Sequence, residues 1–385
     1  MKLPPFRLER YLAQHEFTVA HNLCASDCEP LTLNDLLSMI HGESMKMWNM
    51  LKLGYTDSRG HPELRKEIAS LYRTIKAEDI LVMAPEEGIF IAMNTLLEKG
   101  DEVVTTFPAY QSLYEIARNV GCHVKYWKPR YQEGWRFELQ DLTGLLSKKT
   151  RMLIMNFPNN PTGSTISPNM QDEIVELAKT HEIILFSDEM YQYLEHDESD
   201  RLPSIADQYE PSVTLFGMSK AFALPGLRIG WLITKNHQWL DNFSVFRDYT
   251  TLSNSAPSEI LALMGLKVRE QILRRNHEII RYNLNMLDAF FSRYHTIFDW
   301  QIPKTGTTGF PGLKRKIDAN TFCQELLETK GVLLLPPSAY DFPGNHFRIG
   351  FGRNHLKEAL EAFSAYIEEN VNRSLEDHEG GNTTY

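Results

Sequence analysis

The chain has 385 residues, 42 % of them apolar and 23 % charged, which suffices for one large α/β domain and a smaller one. A formal net charge of −10 disfavours a nucleic-acid or anionic-membrane surface, and no run of about eighteen apolar residues offers a membrane-spanning helix. Of the four cysteines, Cys24 and Cys28 are close while Cys122 and Cys323 are far off, which gives neither a disulfide framework nor a metal-ligand spacing and reads as reduced thiols in a cytosolic protein.

In chain order, the segment Met1 to Arg7 has no apolar core behind it and reads as neither signal nor transit peptide. Short apolar runs then alternate with helical patterns. Asp79 to Met83 precedes a helix through Ile89 to Leu97, and Asp101 to Thr106 precedes Gln111 to Val120. Arg151 to Met155 precedes Asn169 to Lys179; Ile183 to Phe186 follows, and then Ser212 to Phe216. Near-continuous apolar strands separated by amphipathic helices predict a mostly parallel sheet buried on both faces, with ligands beyond the carboxyl ends of its strands. After about residue 265 the texture changes to long charged helices, Glu270 to Ser292 and Ala319 to Lys330, around the short strands Val332 to Leu335 and His346 to Ile349. That predicts an α+β unit, and the polar stretch Leu375 to Tyr385 is expected to be disordered.

The chemistry-bearing residues lie where these strands end. Lys220 and Arg228 stand in Phe216-Gly217-Met218-Ser219-Lys220-Ala221-Phe222-Ala223-Leu224-Pro225-Gly226-Leu227-Arg228-Ile229-Gly230, around a Pro-Gly turn. A lysine there can form a Schiff base with an aldehyde cofactor, and an arginine grips a phosphate with its forked guanidinium. Taken alone, such a pair is more often a solvated surface pair. Asp188 follows an apolar strand in Ser187-Asp188-Glu189-Met190-Tyr191, where the bland alternative is a capping aspartate. Asn160 sits in Asn159-Asn160-Pro161-Thr162-Gly163, and Asn-Pro is also an ordinary turn dipeptide. Tyr110 closes Phe107-Pro108-Ala109-Tyr110, a position where a tyrosine is more often core.

Together, in this order, the motifs resemble the class I/II aminotransferases, fold type I enzymes of pyridoxal 5′-phosphate (PLP). The S-K-x-x-x-x-P-G-x-R-x-G run, the N-P-T-G turn and the Y-x-x-x-x-G-x-x-x-L-R segment at Tyr55 to Arg65 carry the resemblance, from Tyr55 to Arg348. It implies a large domain over residues 44–265 with a mostly parallel central sheet flanked by helices. A smaller discontinuous α+β domain would be made from residues 1–43 and 266–372, with a disordered tail over residues 373–385. It implies that Lys220 carries PLP and moves the substrate's proton, Asp188 holds the ring nitrogen, and Asn160 and Tyr191 bond the phenolic oxygen. Tyr110 would stack on the ring. Ser219 and Arg228 would hold the phosphate with the amide of Glu86, and Tyr55 would reach the phosphate of a neighbouring subunit, making a homodimer. Arg348 is the implied clamp for the substrate carboxylate, with Arg353 its competitor. Thr307, Thr308, Phe310 and Asn254 are candidates for lining the substrate pocket.

Three departures stand out. The phosphate turn reads Ala84-Pro85-Glu86-Glu87-Gly88, so a proline without N–H and two glutamates face an anion; the amides of Glu86 and Glu87 would carry the load. Gly217 replaces a phosphate-binding serine. Cys24 to Pro30 replaces the usual N-terminal G-x-P, and the N-terminal arm with Leu53 to Gly60 is similar to the capreomycidine synthase branch, which eliminates and cyclises an arginine-derived substrate. The expected function is ping-pong transfer of an amino group between an amino acid and a 2-oxo acid. The alternative is a PLP lyase or cyclase, and a non-enzymatic regulator is a third class. A cytoplasmic protein with no nucleic-acid, membrane or metal partner is expected.

Overall fold

The computed structural model describes residues 3–314 and 317–371; the expected tail over residues 373–385 lies outside them. Seven strands form the central sheet: β1 (Ile80–Met83), β2 (Glu102–Thr106), β3 (His123–Trp127), β4 (Thr150–Asn156), β5 (Ile184–Asp188), β6 (Ser212–Gly217) and β7 (Gly230–Ile233). Their order across the sheet is β1-β7-β6-β5-β4-β2-β3. Strands β2 to β6 pair in parallel, whereas β7 runs antiparallel to both β1 and β6. The mostly parallel sheet read from the sequence is therefore present, with one reversed strand that apolar patterning does not reveal. Every residue of β1, β5, β6 and β7 is buried, as strands covered on both faces must be.

Helices that cover the sheet include α2 (Pro85–Leu96), α3 (Ser112–Val120), α4 (Pro168–His181) and α5 (Ala256–Lys267). Pro85 occupies the first position of α2, where a missing N–H costs nothing and its fixed φ suits the turn. The reversal of β7 matters for the site. It brings the amino end of β7 beside the carboxyl ends of β1 and β6, pairing Gly230 with both Met83 and Gly217. Arg228, just before β7, thus reaches the same sheet edge as the residues that follow β1, β2, β4, β5 and β6.

The two ends of the described chain meet. His21–Asn22 pairs in parallel with Val332–Leu333, and the N–H of Gly350 donates to the carbonyl of Leu23 at 2.6 Å. A Cβ at Gly350 would lie 1.8 Å from the carbonyl oxygen of Ala25, so only glycine lets the arm pass there. Helix α1 (Arg7–His15) packs beside this junction, its Tyr11 hydroxyl donating to the Leu334 carbonyl at 3.2 Å. The strand expected over His346 to Ile349 is displaced. Ile349–Gly350 pairs with Thr308–Gly309, while Arg348 forms only an isolated bridge to Leu335. Two long helices follow the pattern: α6 (Arg269–Arg293) and α7 (Ala319–Lys330). No helix among the described residues is long and apolar enough to cross a membrane.

Candidate active site

At the carboxyl edge of the sheet lies a cavity of about 450 Å³ lined by Lys220, Asp188, Tyr191, Asn160, Tyr110, Ser219, Arg228, Glu86 and Arg348. These residues come from five strand ends and from the chain near its C-terminal helix, which is how an open α/β sheet converges side chains at one edge. The Lys220 ammonium donates to Ser26 Oγ at 3.0 Å and stands 5.6 Å from the centre of the Tyr191 ring. Asp188 ends β5 and is buried; the Met190 N–H donates to its Oδ1 at 3.1 Å. Burial pushes its carboxyl up to about 7, opposed by that N–H and by the charge of Lys220. A cationic partner in the cavity would reverse most of that cost.

Asn156, directly opposite Asp188 in the β4–β5 register, ties the edge together. Its amide donates to the Asp188 carbonyl at 3.3 Å and its oxygen accepts the Asn160 N–H at 2.9 Å. Asn160 Oδ1 then accepts from the Tyr340 hydroxyl at 2.8 Å and from Arg348 Nη1 at 3.1 Å. With its oxygen committed, the NH2 of Asn160 is the group left for the cavity. Arg348 also donates to the Tyr340 hydroxyl and to the Cys24 carbonyl, both at 2.6 Å. It is only 1 % exposed, held by three acceptors against the cavity wall.

Arg228 lies in the left-handed region at φ 55°, closing the short turn Pro225–Leu227, and its Nη1 donates to the Pro225 carbonyl at 3.1 Å. Ser219 and Tyr191 are buried, and their hydroxyls have no partner among the described residues. Two orphaned hydroxyls beside a lysine, a carboxyl and an arginine form a donor set that fits a phosphorylated, ring-bearing aldehyde.

Several expectations change. Only one of the two glutamates in the turn Ala84 to Gly88 faces the cavity: Glu87 turns away to accept from the hydroxyls of Thr250 and Thr251. Gly217 has a steric cause. A Cβ there would lie 2.8 Å from the Gly230 Cα and 3.0 Å from the Ile229 carbonyl oxygen, so a serine does not fit. Thr307, Thr308, Phe310 and Asn254 do not line the cavity. Thr307 donates to the Ser26 carbonyl at 2.8 Å and Phe310 packs among Trp135, Tyr340 and Phe342. Asn254 bridges Arg247 and Glu259. Arg353 does reach the cavity, but Asp27 holds it through two bonds of 2.8 and 2.9 Å. Tyr55 is absent from the wall and is 91 % exposed, near exposed Met50 and Leu53.

Sequence reading missed the contribution of α1 and the residue after it. Leu8, Glu9, Leu12 and Glu16 line the cavity at helical spacing, and Glu9 accepts from the Tyr110 hydroxyl at 2.7 Å. The i, i+4 pattern marks an amphipathic helix, but nothing in it tells which face meets a ligand. Ser26, opposite Lys220, carried no signal beyond its place in the altered Cys24 to Pro30 segment.

The chain belongs to the class I and II aminotransferase family, which it matches over residues 23–364, and its cofactor is PLP. It is 29 % identical over 373 residues to a capreomycidine synthase of Streptomyces vinaceus, covering 94 % of this chain and 93 % of that protein. Among solved structures it is similar to a PLP-dependent aminotransferase from Streptococcus suis, at 31 % identity and a TM-score of 0.89 over 96 % of this chain and 98 % of the other. It is also similar to the PLP-dependent cyclase OrfR, at 26 % identity and a TM-score of 0.88 over the same shares of the two chains.

Proposed function

We propose that the protein is an amino-acid aminotransferase that passes an amino group to a 2-oxo acid by ping-pong exchange, working as a cytoplasmic homodimer. The reading is carried by one observation: Lys220, Asp188, Asn160 and Arg348 line one cavity together with Arg228 and the orphaned hydroxyls of Ser219 and Tyr191. Bound PLP supplies an electron sink for charge that develops at the substrate Cα. The residues do the rest. Lys220 takes the Cα proton and returns it as general base and acid. Asp188 holds the proton on the ring nitrogen, and the donors of Asn160 and Tyr191 orient the ring through its phenolic oxygen. Arg348 holds the substrate carboxylate in a planar fork that lysine does not provide. Ser219 and Arg228 hold the phosphate, and the exposed Tyr55 serves a neighbouring subunit. Residues 1–43 and 266–372 would form one unit against the sheet-bearing residues 44–265.

A second reading, a PLP lyase or cyclase that expels a β- or γ-substituent, is favoured by the likeness to capreomycidine synthase and OrfR. Both readings use the same residues. Purified protein incubated with candidate amino acids separates them. Accumulation of pyridoxamine phosphate, with turnover only when a 2-oxo acid is added, supports transamination. Release of ammonia or water from one amino acid alone would replace it with the second reading.

A further inference from the structure

Glu86 is an odd neighbour for a phosphate. It lies in the first turn of α2, lines the cavity with Arg228 and Ser219, and sits next to Pro85, which has no N–H to give. Its carboxyl accepts from the Ser112 hydroxyl at 3.1 Å and has no cation bonded to it among the described residues. The charged and titratable groups around it come from every side of the cavity: Glu9 on α1, Tyr110 after β2, Asp188 at the end of β5, and Lys220 and Arg228 between β6 and β7. Glu115, on the far side, is paired with Arg118 at 3.1 Å, and Glu87 with the two threonine hydroxyls. Glu9 and Asp188 repel a charge on Glu86, and Arg228 favours one. Burial is the largest influence and outweighs the Ser112 hydroxyl and Arg228, which favour the ionised form, so that the Glu86 carboxyl is lifted to about 7 before any anion is present.

A phosphate seated against Arg228 and Ser219 adds negative charge to this cluster and occupies Arg228, whose charge favours ionised Glu86. We propose that Glu86 is neutral when the phosphate is seated, so that the chain takes up a proton on this side chain with each phosphorylated cofactor, and holds the cofactor less well as the solution turns alkaline. The inference rests on the phosphate lying between the first turn of α2, Ser219 and Arg228. In place of the missing amide of Pro85, the neutral carboxyl offers an O–H. The sign follows from linkage: a ligand that raises a group's pKa binds more weakly as pH climbs through the interval between its free and bound values.

The test uses the full chain freed of cofactor and titrated with pyridoxamine 5′-phosphate, which has no aldehyde to react with Lys220. From about pH 7 to about pH 8.5, the Kd of the parent should rise by up to about tenfold per pH unit relative to that of Glu86→Gln. The variant should bind at least as tightly as the parent at the alkaline end. Calorimetry at about pH 8.5 in buffers of different ionisation heat should show the parent taking up close to one proton more than the variant. Should Glu86→Gln fail to fold, the parent alone decides through its infrared spectrum: a protonated-carboxyl band that grows on adding ligand at alkaline pH supports the proposal, and no such band overturns it. Parallel pH curves for parent and variant, or weaker binding by the variant throughout, also overturn it. If Arg228→Ala binds as tightly as the parent, the phosphate does not lie where it is placed, and the proposal falls with that placement.

Discussion

Replacing Asp188 by Asn should make the cofactor-free protein more stable and the loaded enzyme much slower. The carboxyl is buried and sits near 7 where an ordinary aspartate lies near 4, so the folded chain binds its proton more tightly than the unfolded chain does. Stability is therefore lost as pH rises from about 4 to about 7 and stays lost above. At pH 8 that burial costs about 2–4 kcal/mol once relaxation and water penetration are allowed for. Asparagine removes the charge yet still accepts the Met190 N–H through its own oxygen. For a chain of this length, about 0.8 kcal/mol per degree converts the gain into a melting temperature higher by about 3–5 °C at pH 8, with little difference near pH 4. The loaded enzyme should lose more than about a hundredfold in rate. A hydrogen bond to a charged group is worth about 1.5–3 kcal/mol, and the ring's electron-accepting power goes with the lost proton.

Scanning calorimetry of apo-protein at both pH values and steady-state turnover are the measurements. An equal change in melting temperature at both pH values would refute the buried-charge argument. Activity within a few fold of the parent would refute the pairing of Asp188 with the ring nitrogen. Glu189 offers no substitute. Its Oε1 accepts from the Ser187 hydroxyl at 3.0 Å and the Ile205 N–H at 2.9 Å, and it does not line the cavity.

Lys220→Ala should abolish turnover and the visible absorbance of the lysine-linked cofactor while leaving the circular dichroism unchanged; turnover near the parent rate would remove Lys220 from the mechanism. Arg228→Ala should weaken PLP by about ten- to a hundredfold, the worth of one charge-assisted hydrogen bond, in a direct titration of apo-protein, and unchanged affinity would contradict the phosphate grip. Arg348→Lys should raise KM for amino acid and 2-oxo acid alike by about ten- to a hundredfold, because one ammonium cannot serve Asn160, Tyr340, Cys24 and a planar carboxylate together. Unchanged KM for both would move the carboxylate grip to Arg353.

The legible parts of the fold are those fixed by local pattern. The runs ending at Met83, Thr106 and Met155 read as strands because continuous apolar β-branched and aliphatic residues suit a sheet covered on both faces. They lie within a residue or two of the observed strand ends. Ala319–Lys330 read as a helix with its observed limits, since Asp318 caps one end and Gly331, at φ 64°, closes the other. Strand direction was not legible. Nothing in Gly230–Ile233 marks it as reversed, because burial on both faces looks the same either way. Long-range packing likewise hid one side of the cavity. Lys220, Asp188 and Asn160 stand in motifs, whereas Glu9 and Ser26 on the wall, and Tyr340 behind it against Asn160 and Arg348, arrive through long-range packing of the chain ends. Thr307 and Phe310, candidates for the pocket lining, are committed elsewhere. One is spent on the Ser26 carbonyl and the other on an aromatic cluster.

Read separately, Pro85 in the phosphate turn and Gly217 before the lysine look like two independent losses of phosphate donors. The structure makes them one packing arrangement. The Pro85 ring sits over the pair Gly217 and Gly230, and a Cβ at Gly230 would lie 2.7 Å from Pro85 Cγ as well as from the Phe216 carbonyl oxygen. At Gly217 the nearer obstacle is the backbone of β7, with Pro85 Cγ at 3.3 Å behind it. The close backbone approach of the two facing strands, with the Pro85 ring against Gly230, thus requires glycine at both positions, and Gly217 excludes the hydroxyl that a serine would bring. What remains on that wall are the first amides of α2, Ser219, the Glu86 carboxyl and Arg228. Arg228 holds a left-handed backbone, which costs a residue with a Cβ about 1–2 kcal/mol. The turn Pro225–Leu227 sustains that cost where the reversed strand begins. Closing the sheet edge in this way therefore leaves two ionisable side chains, Glu86 and Arg228, in the proposed phosphate grip beside the Ser219 hydroxyl and the first amides of α2, and makes the hold on the cofactor answer to charge.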